Sequence, residues 1–359
     1  MLLAWGLGGM PGTTYEARAE LADARKASAV VSTASQQREF REAVALYQAG
    51  RYAEALKLAS ELAQAGHLEA QAMLGVFYEQ GKGVERDVRR AAQWFERAAI
   101  GGHTGAMFTL AMLHLDGRLG TKDIKTARYW LEQAARRGMA EAQYNLALLY
   151  AGAGGVKPDW EKAAYWFRKA AMQGNAHAQY NLGVLYMSGK GVPRDFYEAS
   201  EWFKRAALAG LPEGATEYGL LVFRGDGVRK SEAIGASWLR YAAKSGYAPA
   251  MARLARLYAL GRGVRKDAVE AAKWYLLARQ RGVKDAWLDL FVKHLPRDKM
   301  QEARRRAAAF RPTQMRPINR TSADGKGRML APPKPPRHRR NGAHGNGAHG
   351  NGAKGNGKR

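Results

Sequence analysis

Six tryptophans recur at intervals of 36 residues: Trp94, Trp130, Trp166, Trp202, Trp238 and Trp274. A glycine keeps its own register at Gly66, Gly102, Gly138, Gly174, Gly210, Gly246 and Gly282. An Ala-Ala pair follows five of the six tryptophans, and Ala278-Arg279 follows the sixth. Several residue types held in one register mark a repeat array. Each unit of such an array is one supersecondary element that cannot bury its apolar face alone, so it must stack on the next.

The third copy, residues 140–175, shows what one unit is. Ala142, Leu146 and Leu149 fall at i, i+4 and i+7, one face of a helix. Gly152, Gly154, Gly155 and Pro158 stop that helix. Asp159 is placed to cap a second one by accepting a backbone N–H. Ala163, Trp166 and Ala170 then share a face, and Gly174 ends the helix with a left-handed turn. The unit therefore reads helix–loop–helix, with Trp as the large buried side chain and Ala-Ala allowing close helix approach. Caps recur at Asp87, Asp123, Asp195 and Asp267, with Ser231 in the fifth copy. Asp195 with Glu198, and Asp267 with Glu270, have capping-box spacing. The second copy departs from the pattern with Gly117 and Gly120 in its loop, and the fifth places Tyr218 where Leu is usual.

The flanks are different. Residues 1–38 form an N-terminal extension, and residues 39–67, with Ala43, Gly50, Tyr52 and Ala55, read as a capping hairpin with a shorter loop. Residues 68–283 hold the six repeats. Residues 284–310 read as a terminal helix pair truncated by Pro296, with Phe310, 36 after Trp274, expected to stand in for the next Trp. Its last helix is polar and carries Arg304, Arg305 and Arg306, as a solvent-facing cap requires. Residues 311–359 are rich in Pro, Gly, Asn and basic residues. Such a composition cannot offset chain entropy, and a disordered tail is expected.

Net charge is +26, of which the tail contributes +11 and residues 1–310 contribute +15. Both parts attract polyanions such as nucleic acid, anionic polysaccharide or acidic membrane surfaces. Candidate contacts are Arg304, Arg305 and Arg306 with Arg337, Arg339 and Arg340. The absence of cysteine excludes disulfides, thiolate catalysis and Cys-ligated metals. No apolar run is long enough to span a membrane. The apolar Leu2–Met10 stretch and the small-x-small Ala17-Arg18-Ala19 are like the back half of a secretory signal, although no positive n-region precedes them. Export is the expected localisation on that reading.

Chemistry-bearing motifs are missing. His67, His103, His114, His177, His294 and His338 form no ligand pair at helical spacing, and His344 and His349 lie in the repetitive tail. Gly81-Lys82-Gly83 and Gly189-Lys190-Gly191 lack the GK[ST] continuation of a phosphate loop. No carboxylate spacing marks a catalytic pair. No enzyme activity, cofactor, metal or small-molecule substrate is expected.

The AHAQYNLG run at Ala176–Gly183, the GKGV loop at Gly189–Val192 and the WFxxAAxxG segments resemble the Sel1-like repeat family, relatives of tetratricopeptide repeats. The resemblance covers Leu68 to Val283. It implies an all-α fold, a right-handed α–α superhelix, here with a disordered basic C-terminal tail. It also implies a scaffold or adaptor that binds a protein or peptide in a concave groove lined by the first helix of each pair. Family roles in bacterial envelope, signalling or polysaccharide regulation set the expected context. On this reading Phe108, Tyr144, Asn145, Tyr180, Asn181, Arg253 and Arg256 face the groove. A polyanion-binding module is the alternative, and a cell-wall hydrolase, by analogy with outlying family members, is a third.

Overall fold

A computed structural model describes residues 34–317, and no strand occurs among them. The signal-like segment and Arg337, Arg339 and Arg340 lie outside the described residues. Helix α1 (34–48) pairs with α2 (Tyr52–Gln64). Six hairpins follow: α3 (Leu68–Gln80) with α4 (Val88–Ile100), α5 (Thr104–Asp116) with α6 (Ile124–Arg136), and α7 (Ala140–Tyr150) with α8 (Trp160–Met172). Then come α9 (Ala176–Ser188) with α10 (Phe196–Leu208), α11 (Pro212–Arg224) with α12 (Glu232–Lys244), and α13 (Ala248–Leu260) with α14 (Ala268–Gln280). Helices α15 (Ala286–Lys293) and α16 (Arg297–Ala308) close the stack. From α2 to α14 every helix packs on its chain neighbours, and α16 packs on α14. The core is thus a row of linked clusters, not one centre.

The second helices start where the sequence places them. Asp87, Asp123, Asp159, Asp195, Ser231 and Asp267 each accept a backbone N–H from the first turn. The capping boxes at Asp195 and Asp267 are only half formed. The Asp195 and Asp267 N–H groups donate instead to the carbonyls of Tyr186 and Tyr258, at 2.9 and 3.0 Å. With those donors committed, Glu198 accepts from the Trp202 indole, and Glu270 pairs with Lys273 and Arg306. The first helices use a cap that is easily missed: the His67 and His103 imidazoles accept from the N–H groups of Ala70 and Ala106, and Asn175 does the same for Ala178.

Packing shifts the expected emphasis by one residue. Trp130, Trp202, Trp238 and Trp274 are buried, but Trp94 and Trp166 are half-buried. The residue after each Trp is the one sealed in every copy: Phe95, Leu131, Phe167, Phe203, Leu239 and Tyr275. Gly75 and Gly183 make room for two of these rings. A Cβ at Gly183 would sit 2.8 Å from the Phe203 ring. The loops carry a second close approach. Gly191, Gly227 and Gly263 have φ of +68°, +68° and +66°, and a Cβ there would overlap the backbone at the start of the preceding second helix, Trp160, Phe196 or Glu232. In the third repeat a 3-10 turn, Ala153–Gly155, lifts the loop, and the equivalent Gly155 faces open space.

The C-terminal end departs from expectation in two ways. Phe310 lies past the end of α16 and packs edge-on against Trp274 itself, with centroids 5.4 Å apart, because the short α15 breaks the 36-residue register. The packed chain also continues beyond residue 310. Arg311–Pro317 runs back along the stack: the Thr313 N–H donates to the Lys244 carbonyl at 2.9 Å, and the Tyr241 hydroxyl donates to the Arg316 carbonyl at 3.1 Å. Met315 packs on the last core cluster, which gives this short segment the apolar anchor that its composition conceals.

Candidate partner-binding surface

The first helix of each repeat buries one face and leaves another partly open. In α9, Ala178, Gln179, Leu182, Gly183 and Leu185 are buried, whereas Tyr180, Asn181, Val184 and Met187 are half-buried. The open positions line up from repeat to repeat. Val76, Met112, Leu148, Val184 and Leu220 occupy one register and are all half-buried, which makes an apolar stripe across α3, α5, α7, α9 and α11. Arg256 takes this register in α13 and ends the stripe. The five apolar residues are not among the sequence candidates, whereas Arg256 is. The signal was available, since each lies four residues after the register of Phe108, Tyr144 and Tyr180, but an apolar residue on an apolar helix reads as core.

Phe108, Tyr144 and Tyr180 flank that stripe and are half-buried. Tyr144 lies 5.9 Å from Phe167 and 6.1 Å from His177 of the next repeat, centroid to centroid. Tyr180 lies 5.6 Å from Phe203. Burial pushes both phenols up, and for Tyr180 the charges of Glu217 and Glu213 add to it. The Asn145 and Asn181 amides each donate one N–H to the carbonyl four residues back, Glu141 at 2.8 Å and His177 at 2.9 Å. One N–H and the oxygen of Asn145 are left for other contacts, whereas the Asn181 side chain also reaches the Tyr144 phenol. These five residues share one face with the stripe.

The arginines separate. Arg253 is exposed and carries no ion pair among the described residues. Arg256 is committed elsewhere: its guanidinium makes a two-pronged pair with Asp285, 2.8 Å on each prong, and lies 5.5 Å from the Trp287 ring. It fastens α15, whose cap is Asp285, and is not a free groove residue. On α16, Arg305 pairs with Glu302, and Arg306 with both Glu302 and Glu270. Of the three arginines only Arg304 is unpaired among the described residues. An acidic step lies one repeat before Arg253, since Glu217 holds the same register in α11. Glu213 and Glu217 stand on the open side of α11, and one Glu213 oxygen is buried with no hydrogen-bond partner among the described residues. No group of three or more potential metal ligands occurs among the described residues, and no helix there is long and apolar enough to cross a membrane.

Stacked helical hairpins, the first helices of five successive repeats each carrying a half-buried apolar residue in a common register, define an α-solenoid of the kind that commonly serves protein–protein interaction. The Sel1 repeat profile matches residues 68–103, 104–139, 140–175, 176–211, 212–247 and 248–283, and the chain belongs to the Sel1 repeat family. Two solved structures share the fold. One is c5321, a protective antigen present in uropathogenic Escherichia coli strains, which displays an SLR fold. It is 30% identical, with a TM-score of 0.62 over 72% of this chain and 56% of that one. The other is a Sel1 repeat protein from Oxalobacter formigenes, 26% identical, with a TM-score of 0.62 over 67% of this chain and 98% of that one. The chain therefore spans little more than half the length of c5321. A search of curated proteins gave no match.

Proposed function

We propose that the protein is a scaffold or adaptor that holds a protein or peptide segment along the open face of its first helices. One observation carries this reading: the half-buried stripe Val76, Met112, Leu148, Val184 and Leu220 continues through five successive repeats without a charge. Solitary exposed apolar residues need no explanation, but a contiguous apolar strip rimmed by polar groups marks a binding surface. Phe108, Tyr144 and Tyr180 supply aromatic area beside it, and Asn145 and Asn181 supply amide groups that can pair with a peptide backbone. Glu217 and Arg253, one repeat apart in a common register, give the face a change of sign that fixes the direction of a charged guest.

The test is capture of partners from the protein's own cells by three tagged forms. A chain ending at residue 317 is expected to capture the same partners as the full chain. Leu148→Ser with Val184→Ser, checked for unchanged helicity, is expected to lose them. Capture that follows the tail and ignores the stripe, and that falls steeply with salt, would establish the polyanion reading in its place.

A further inference from the structure

The segment Arg311–Pro317 shows what a different edge of the molecule binds. It lies against the turns that end the second helices. Pro312 faces Gly246, with 3.5 Å from its Cβ to the position a Gly246 Cβ would take, and the Met315 carbonyl stands 3.4 Å from the equivalent point on Gly210. Its backbone N–H at Thr313 fills the open carbonyl of Lys244, the last residue of α12, and Tyr241 donates to its Arg316 carbonyl. Thus one extended stretch crosses a whole repeat. It uses a helix-end carbonyl, a side-chain donor one turn earlier and an apolar anchor.

The same three features recur in the repeats that this segment does not reach. At the register of Lys244 stand Ile100, Arg136, Met172 and Leu208. Leu208, next to Gly210, is half-buried, whereas Ile100 and Met172 are 74% and 71% exposed, more than any other large apolar side chain among the described residues. The carbonyls of Ile100 and Met172 receive no backbone N–H among the described residues, as expected for a helix end without a partner. At the register of Tyr241 stand the donors Arg97, Gln133 and Lys169. Successive turns are tied together here, since Gln173 donates to the Gly138 carbonyl at 2.9 Å. The edge is basic: Arg97, Arg136, Arg137 and Lys169 are all exposed.

We infer that the edge formed by the ends of α4, α6 and α8 is a second docking surface. It takes an extended acidic segment of a partner protein, whose apolar side chains rest on Ile100 and Met172 and whose N–H groups bond the open helix-end carbonyls. Pro312 to Met315 crosses one repeat, so about six to ten extended residues cover the two repeats between Ile100 and Met172. This edge is separate from the first-helix face and the inference does not depend on that face being a binding site.

Fluorescence anisotropy with a labelled peptide of four Asp-Leu-Pro triplets tests it. The full chain is expected to bind the peptide. Ile100→Ser with Met172→Ser is expected to weaken binding by about tenfold or more. Both side chains are exposed, so the unfolding midpoint should not move. The peptide with Lys in place of Asp is expected not to bind, and Leu148→Ser on the first-helix face is expected to leave binding unchanged. No binding by the full chain, equal binding by the double variant, or loss of binding in Leu148→Ser would overturn the inference. The last result would assign the peptide to the first-helix face.

Discussion

Gly191→Ala measures how tightly the loops lock one repeat to the next. Two costs are separable in the structure. The φ of +68° demands a left-handed residue, which costs alanine roughly 1–2 kcal/mol. The added Cβ would also overlap the Trp160 carbonyl, which is backbone at the start of α8 and cannot swing aside. Overpacking of this kind costs about 1–3 kcal/mol. The sum is roughly 2–5 kcal/mol of destabilisation. Gly155→Ala is the built-in control. It occupies the same register one repeat earlier with φ +78° and nothing within 4 Å, so only the conformational cost of roughly 1–2 kcal/mol applies. Urea unfolding followed by far-ultraviolet circular dichroism compares the two. The account requires Gly191→Ala to be the worse by about 1–3 kcal/mol. Equal losses would mean that the loop does not press on the preceding repeat, and the locking argument would fail.

Three further outcomes follow from the same geometry. Thr313→Pro removes the N–H that bonds Lys244, and residues 311–317 should then exchange amide hydrogens freely while α12 keeps its protection; unchanged protection of 311–317 would contradict the contact. Arg256 holds the Asp285 carboxyl below the usual range. The pair therefore stabilises the fold above the ordinary aspartate pKa of about 3.9, and that stability is lost as pH falls through the lowered folded value. The Trp287 indole N–H resonance should shift over that window, and not in Asp285→Asn. Burial, with the Glu132 carboxylate 2.7 Å away, pushes the Tyr150 phenol up to about 12. Its contribution is complete below the ordinary tyrosine pKa of about 10 and is lost as pH rises through the folded value; ultraviolet titration of Tyr150→Phe against the parent should remove one late-ionising phenol.

The repeat, its helix boundaries and its second-helix caps were legible because they follow from local chemistry. Glycine with positive φ, Asp or Ser before an apolar face and a period of 36 leave few alternatives. Three things were not legible, each for its own reason. The His67 and His103 caps use an imidazole acceptor, and a histidine in sequence reads as a candidate ligand or base before it reads as a cap. The dominant burial of Phe95, Phe167 and Phe203 over the neighbouring tryptophans depends on the rotation of each second helix about its axis, which differs from the ideal face by one position. The packing of Arg311–Pro317 depends on a partner surface far away in sequence, and its own composition looks like that of an unstructured tail. Of the proposed groove residues, Phe108, Tyr144 and Tyr180 hold one register and Asn145 and Asn181 the adjacent one, which keeps the five on one side of the first helices. Arg256 shares that register logic too, but the truncated α15 brings Asp285 beside it, and no periodicity could reveal that.

The claim on which the functional reading rests is that a partner lies along the first helices. Hydrogen exchange of the protein with and without a captured partner tests it most directly. The account predicts new protection in α5, α7, α9 and α11, on the segments bearing Met112, Leu148, Val184 and Leu220. Protection confined to the second helices α6, α8, α10 and α12, with the first helices unchanged, would contradict it.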